Sequence, residues 1–157
     1  HDGSCNSGFS ITYGDANFVL ATDLGSVTDR ARHYMSLANY LVIESNYDST
    51  MLDNGSYPEY LKSRICAGNG HMDNAATAAF LKEIASERLK YVYLCHLSHD
   101  NNTPDTARSC AMKALQEAGL SVGEGTESLT DNAKDVQLVV LPRFDATRCY
   151  KFHVNLK

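Results

Sequence analysis

The sequence has no basic excess, no apolar run of membrane length and no closely spaced pair of cysteines, and each absence closes off a class of protein. Fourteen Lys and Arg stand against 19 Asp and Glu, for a formal net charge of −5. The overall basic footprint that usually marks nucleic-acid binding is therefore missing, and a polyanionic substrate would need metal ions or a local patch to hold it. No apolar stretch approaches the roughly 20 residues of a membrane span. The opening, HDGSCNSG, has neither the basic start nor the apolar stretch of a secretory signal. It also lacks Met, which leaves a processed start or a piece of something longer. The five cysteines, Cys5, Cys66, Cys95, Cys110 and Cys149, are odd in number, and no two lie two or three residues apart. That pattern fits free thiols in a reducing, cytoplasmic compartment better than a disulfide frame or a thiolate zinc site.

What remains is an ordinary globular balance. A chain of 157 residues suits one domain with one core. Hydrophobic residues are 43% and charged residues 21%, which argues against disorder.

Three apolar runs end in residues that can carry chemistry. Phe18 to Ala21 ends in Thr22-Asp23, Tyr40 to Ile43 ends in Glu44, and Tyr91 to Cys95 ends in His96. Short continuous apolar runs read as buried strands of an α/β protein, whose chemistry collects just past the carboxyl ends of the strands. Three strands delivering Asp, Glu and His at one end can build one site.

In chain order, Gly8 to Tyr13 alternates like a strand with one wet face, and the Gly14-Asp15 turn joins it to Asn17–Ala21 as a hairpin. Ser26 or Thr28 can cap a helix reaching about Leu37. The strand Tyr40–Ile43 is followed by a short helix from Asp48 to Asn54. A second helix starts at Pro58, and a third is capped by Asp73 or Asn74. Gly68-Asn69-Gly70 is a flexible loop that presents His71. Thr103-Pro104 opens a helix that ends at Gly119, with Pro in the first turn where its missing N–H costs nothing. Val122 to Lys134 reads as an exposed loop, and Val136–Leu141 and Cys149–Val154 read as the last strands. The pattern is α/β with no internal repeat.

The His and acid set is His1, Asp23, Glu44, His71, His96 and His99. Imidazole and carboxylate without thiolate suit zinc, manganese or iron. A hydrolytic site would hold two ions roughly 3.5–4 Å apart, bridged by a carboxylate and a water. The plainer readings stand beside this one: a lone Asp after a strand is more often a helix cap, and His99 more simply a loop residue. Asn101 and Asn102 could bind phosphate or cap the helix at Pro104. Arg143 could meet phosphate or be a solvated surface residue.

The blocks TDLGSVTD, LVIESNYD, GNGHMDN and LCHLSHDNNTP resemble those of the metallo-β-lactamase fold hydrolases, in particular the WalJ/YycJ-like branch of nucleases. The resemblance runs from His1 to about Arg143. It implies that His1, Asp23 and His96 are metal ligands, with Asp23 the bridge between two divalent ions, Zn or Mn. It implies that His71 is the proton donor and Glu44 the acid that orients it, with His99 and Asn102 as candidate substrate contacts. The implied activity is phosphodiester hydrolysis, of DNA by a nuclease. A small-molecule ester or phosphodiester hydrolase, or an inactive fragment, are the alternatives.

One departure is large. The family's His-x-His-x-Asp-His run, which supplies most of the ligands, is absent from these 157 residues. The resemblance therefore implies the C-terminal half of an αββα sandwich, a mixed β-sheet with flanking helices whose other half lies upstream. Alone, its inner sheet face around Phe9, Val19, Val42 and Val92 should be bare and prone to self-association. Smaller departures are Tyr47, where His is usual, and Met72-Asp73, where Leu-Ser is usual.

Overall fold

A computed structural model describes residues 2–4, 6–125, 134–152 and 154–155. His1, Cys5 and His153 therefore lie outside the described residues. Strand β1 (Phe9–Tyr13) pairs antiparallel with β2 (Ala16–Ala21) across the expected hairpin. Helix α1 (Asp29–Met35) leads to β3 (Tyr40–Glu44), and α2 (Ser49–Asn54), α3 (Glu59–Cys66) and α4 (Asn74–Ile84) follow. Strand β4 (Tyr91–Cys95), helix α5 (Pro104–Glu117) and strands β5 (Val122–Gly123) and β6 (Val136–Val140) complete the order. The six strands form one mixed sheet in the order β1-β2-β3-β4-β6-β5. Strands β2, β3, β4 and β6 run parallel, so their carboxyl ends share one edge.

The helix starts follow the side chains that cap them. Thr28, Asp48, Asp73 and Thr103 each accept a hydrogen bond from the backbone N–H three residues on, which satisfies a donor the helix cannot. Helix α1 ends at Met35, two residues before the expected Leu37. The amides of Leu37 and Ala38 bond back to the carbonyls of Tyr34 and Met35, tightening the last turn. Asn39 then accepts from the Asn17 amide at 2.8 Å and takes the chain into β3.

Every residue of β3 is buried, because both faces of the sheet are covered. On one face Val19, Leu41, Val92 and Leu138 pack with Phe80, Leu81 and Leu115 of α4 and α5. The other face carries Tyr40, Val42, Tyr91, Tyr93 and Val139, and Tyr150, Phe152 and Val154 lie over it.

That arrangement corrects three expectations. Residues 149–154 form no strand among the described residues; they contribute side chains, with Phe152 stacked on Tyr40 at 3.9 Å between ring centroids. The loop expected from Val122 begins instead with β5, a two-residue pairing to β6. The face expected to be bare was also misdrawn. Val19 and Val92 share the helix-covered face with Leu41, whereas Val42 points the other way beside Leu20 and Tyr93, as period-two alternation in register demands. Phe9, on the edge strand, is 59% exposed.

Candidate functional site

Three parallel strands end in step. Ala21 pairs with Ile43, Ile43 with Leu94, and Glu44 with Cys95. Glu44 is the last residue of β3, His96 follows β4 directly, and Asp23 stands two residues past β2. Asp23 and His96 take positive φ angles of 52° and 58°, which turn their side chains away from the strand direction. The loop before His71 comes in from the side. The amide of His71 bonds to Ile65 O at 3.0 Å. A Cβ on Gly70 would lie 2.2 Å from that same carbonyl, so only glycine lets this loop close on the end of α3. Gly25 (φ 61°) makes a similar approach, its Cβ position 2.7 Å from the Asn69 backbone, which joins the loop after β2 to the loop carrying His71.

These elements bring Asp23, Glu44, His71 and His96 together, with one ligand-capable atom of each within 4.8 Å of the others. Glu44 is at the centre and is wholly buried. Its Oε1 lies 2.7 Å from His71 Nδ1 and 2.9 Å from His96 Nδ1. Its Oε2 accepts from the amides of Leu24 at 3.0 Å and Met72 at 3.3 Å. Burial drives the Glu44 carboxyl toward its neutral form. The bonds from both histidines and from Leu24 outweigh that and hold its pKa down to about 2. The bond to Glu44 raises the His96 pKa above its ordinary value; burial opposes this and Asp23 adds to it.

An ionised Glu44 has no proton to give. Both Nδ1 atoms must therefore be the donors, and Nε2 is the other ring nitrogen of each imidazole. A carboxylate taking the Nδ1 proton is the usual partner of a histidine that ligates metal through Nε2. The His96 side chain is 43% exposed, that of Asp23 40% and that of His71 23%, so all three reach the surface above the buried acid. Asp23 Oδ1 lies 3.4 Å from His96 Nδ1 and 3.8 Å from His71 Nδ1.

The donor set fits a divalent ion. Carboxylate and imidazole ligands suit zinc or manganese, and Asp23, His71 and His96 are the described members of the cluster that reach the surface. Glu44 fits the outer shell better than the inner, since four N–H groups already face its two oxygens.

Behind the site lies a polar network that sequence reasoning missed. Asn46 Nδ2 donates to His96 O at 2.6 Å, and Asn46 O accepts from the Ser98 amide at 2.7 Å. Thr77 Oγ1 donates to Glu44 O at 2.8 Å. Ser45 Oγ bonds to Asn74 Oδ1 at 2.7 Å. Asn102 was expected to touch substrate, and the structure buries it here instead. Its amide nitrogen reaches Ser45 O, Asn46 O and Asn74 Oδ1, and its oxygen accepts from the Thr103 amide at 2.9 Å. Nothing in the tripeptide Glu44-Ser45-Asn46 announces this, because the partners lie about 30 and 55 residues away.

A cleft of about 480 Å³ opens beside His71 and His96 and extends to Tyr57, Arg64, His99 and Arg143. His99 is exposed, with Nδ1 held by Asp100 at 2.7 Å. Tyr47 is a core residue, 5% exposed. The four described cysteines are free thiols, and burial pushes Cys95 up to about 12. No helix among the described residues is long and apolar enough to cross a membrane.

No family model matches the chain. Exodeoxyribonuclease YycJ of Bacillus anthracis is 36% identical over 127 residues, which is 81% of this chain and 48% of that protein. Exodeoxyribonuclease WalJ of Streptococcus pneumoniae serotype 2 (strain D39 / NCTC 7466) is 36% identical over 123 residues, 78% of this chain and 46% of that protein. Among solved structures, the metallo-β-lactamase fold protein YhfI from Bacillus subtilis is 17% identical, with a TM-score of 0.48 over 85% of this chain and 40% of that one. The chain is thus a relative of the YycJ and WalJ proteins over four fifths of its own length, and it spans about half the length of the curated relatives it matches.

Proposed function

We propose that this chain carries part of a metal-dependent phosphodiesterase site that acts on DNA as a nuclease. The observation that carries the reading is the buried Glu44 carboxylate shared by His71 and His96, with Asp23 beside them. Asp23 and His96, through Nε2, would hold divalent metal, zinc or manganese, and His1 is a further candidate ligand. Such ions polarise a phosphoryl oxygen and lower the pKa of a bound water. Glu44 fixes both imidazoles with Nδ1 protonated. His71, oriented by its 2.7 Å contact with Glu44, would then offer a proton at Nε2 to the leaving oxygen. The names of the curated relatives favour DNA as substrate.

We further propose that the chain is the C-terminal half of an αββα sandwich, with remaining ligands supplied by an upstream half and with a cytoplasmic location. The 48% coverage of YycJ supports the division. A small ester or phosphodiester substrate is the second reading, favoured by the net charge of −5. The test is metal analysis and cleavage of end-labelled DNA with Mn²⁺ or Zn²⁺, by the chain alone and mixed with the N-terminal half of a YycJ relative. Metal uptake and DNA cleavage that both rise on mixing support the reading. Cleavage of a chromogenic phosphodiester without cleavage of DNA favours the second. Absence of metal uptake in every mixture overturns both.

A further inference from the structure

We propose that the cleft beside His71 and His96 is a phosphate-binding groove, in which Arg143 holds a backbone phosphate of a nucleic-acid strand adjoining the one at the acidic cluster. The nature of the ligand rests on the nuclease reading above; the groove itself rests on its own geometry.

Arg143 stands three residues past β6, at the sheet edge where the parallel strands deliver Asp23, Glu44 and His96. Its Nη2 donates to Leu97 O at 2.7 Å. That carbonyl belongs to the residue after His96, so the guanidinium is fixed one residue from the site. A guanidinium has five N–H donors in a planar fork, and the bond to Leu97 engages one of them. The fork geometry matches phosphate oxygens, which is the anion chemistry Arg recognises best.

The rest of the wall agrees. Asp100 accepts from Tyr57 Oη at 2.8 Å and lies 2.7 Å from His99 Nδ1, so one carboxylate orients both side chains at the cleft rim. Arg64 contributes a second guanidinium, and Asp2, the carboxylate that lines the cleft, is engaged by its Nε at 2.6 Å. The chain as a whole is acidic, so attraction for a polyanion must be local, and the two guanidinium groups lining this cleft are Arg143 and Arg64, the second of them paired with Asp2.

The experiment is anisotropy of a fluorescein-labelled single-stranded deoxyoligonucleotide at several salt concentrations, in excess EDTA so that binding is read without cleavage. Arg143→Gln keeps an amide donor for Leu97 O and removes the charge; Arg143→Lys keeps the charge. Thermal melting by circular dichroism confirms that each variant is folded. Arg143→Gln should bind about tenfold more weakly. Its plot of log affinity against log salt should be shallower by about 0.7, the loss of one phosphate contact on a single strand. Arg143→Lys should keep the parental slope. An unchanged slope in Arg143→Gln overturns the groove, and so does a parent chain that does not bind the oligonucleotide at low salt. Arg143-dependent binding together with no metal-dependent DNA cleavage in the separate assay of the chain mixed with the N-terminal half of a YycJ relative would leave the groove standing and sink the nuclease reading. Cleavage with an Arg143-independent slope would do the reverse.

Discussion

Replacing Glu44 by Gln removes one charge and changes almost no volume. The carboxylate oxygens face four N–H groups, two of them backbone amides that cannot turn away. The Gln oxygen should therefore settle on Leu24 and Met72, leaving its NH₂ against the two Nδ1 atoms. To accept from it, both imidazoles must move their protons to Nε2, the atom proposed to meet metal at His96 and the leaving oxygen at His71. The carboxyl is held at about 2 against an ordinary value of 4.5, which corresponds to about 3 kcal/mol of stabilisation of the ionised form. Glu44 is wholly buried, so solvent screening does not reduce this. A chain of this length should lose roughly 6–12 °C in Tm. Metal affinity should fall by roughly 10- to 100-fold, the usual cost of losing an outer-shell carboxylate. Melting in EDTA measures the first and calorimetric titration with Zn²⁺ the second. The pH dependence adds a check of sign. Glu44 is depressed, so its contribution is full above about pH 4.5 and is lost as pH falls toward 2. His96 is raised, so its contribution is full below its ordinary 6.5 and is lost as pH climbs through its folded value. The metal-free cluster should stabilise the fold most between those limits, and Glu44→Gln should lack the acid limb. A variant with the parental Tm, metal affinity and acid limb would refute the shared-carboxylate account.

Other outcomes follow from the same structure. In the intact two-half domain, His71→Ala should leave metal content intact while DNA cleavage falls by roughly 10²- to 10⁴-fold, as loss of a general acid does; loss of metal would make His71 a ligand instead. Asn46→Leu removes the donor to His96 O and should cost about 1–3 kcal/mol in urea unfolding while weakening metal uptake. Gly70→Ala drives a methyl into Ile65 O and should cost about 1–3 kcal/mol, read by the same unfolding curve. Phe152→Ala should uncover Tyr40 and raise binding of a hydrophobic dye, and light scattering should show whether self-association rises with it.

The parts of this molecule legible in its sequence are those encoded locally. The runs at Tyr40 and Tyr91 are strands because a doubly covered parallel strand must be apolar throughout, and Thr28 and Asp73, each one of two candidates, cap helices because a short polar side chain there replaces a missing partner. The placing of Asp23, Glu44 and His96 at strand ends was readable for the same reason. Residues 149–154 were misread because alternating aromatics look the same whether the backbone pairs with a neighbour or merely lays its side chains on the sheet. The place of Asn102 was not legible, because a loop Asn six residues past His96 suits substrate or a helix cap as well as it suits Ser45 and Asn74, and only the approach of distant segments decides. That Glu44 serves His96 as well as His71 could not be read either, since it depends on the pairing of Glu44 with Cys95.

The way the aromatic sheet face is covered sets how easily that cover exchanges. Tyr150, Phe152 and Val154 hold it by side-chain contact, with anchors at Arg148 on Gly125 O and at Asn155 on Asp15. Among the described residues no ladder of backbone bonds ties this segment to the sheet, so its amides should exchange with solvent long before those of β3 and β4. A tethered segment competes at the millimolar effective concentration typical of short flexible links. Another flat apolar surface, on a separate molecule, could take its place only by exceeding that concentration or by fitting the tyrosines better. Occupancy of this face is therefore a contest decided by local concentration, and measuring dye uptake against added competitor would give its set point.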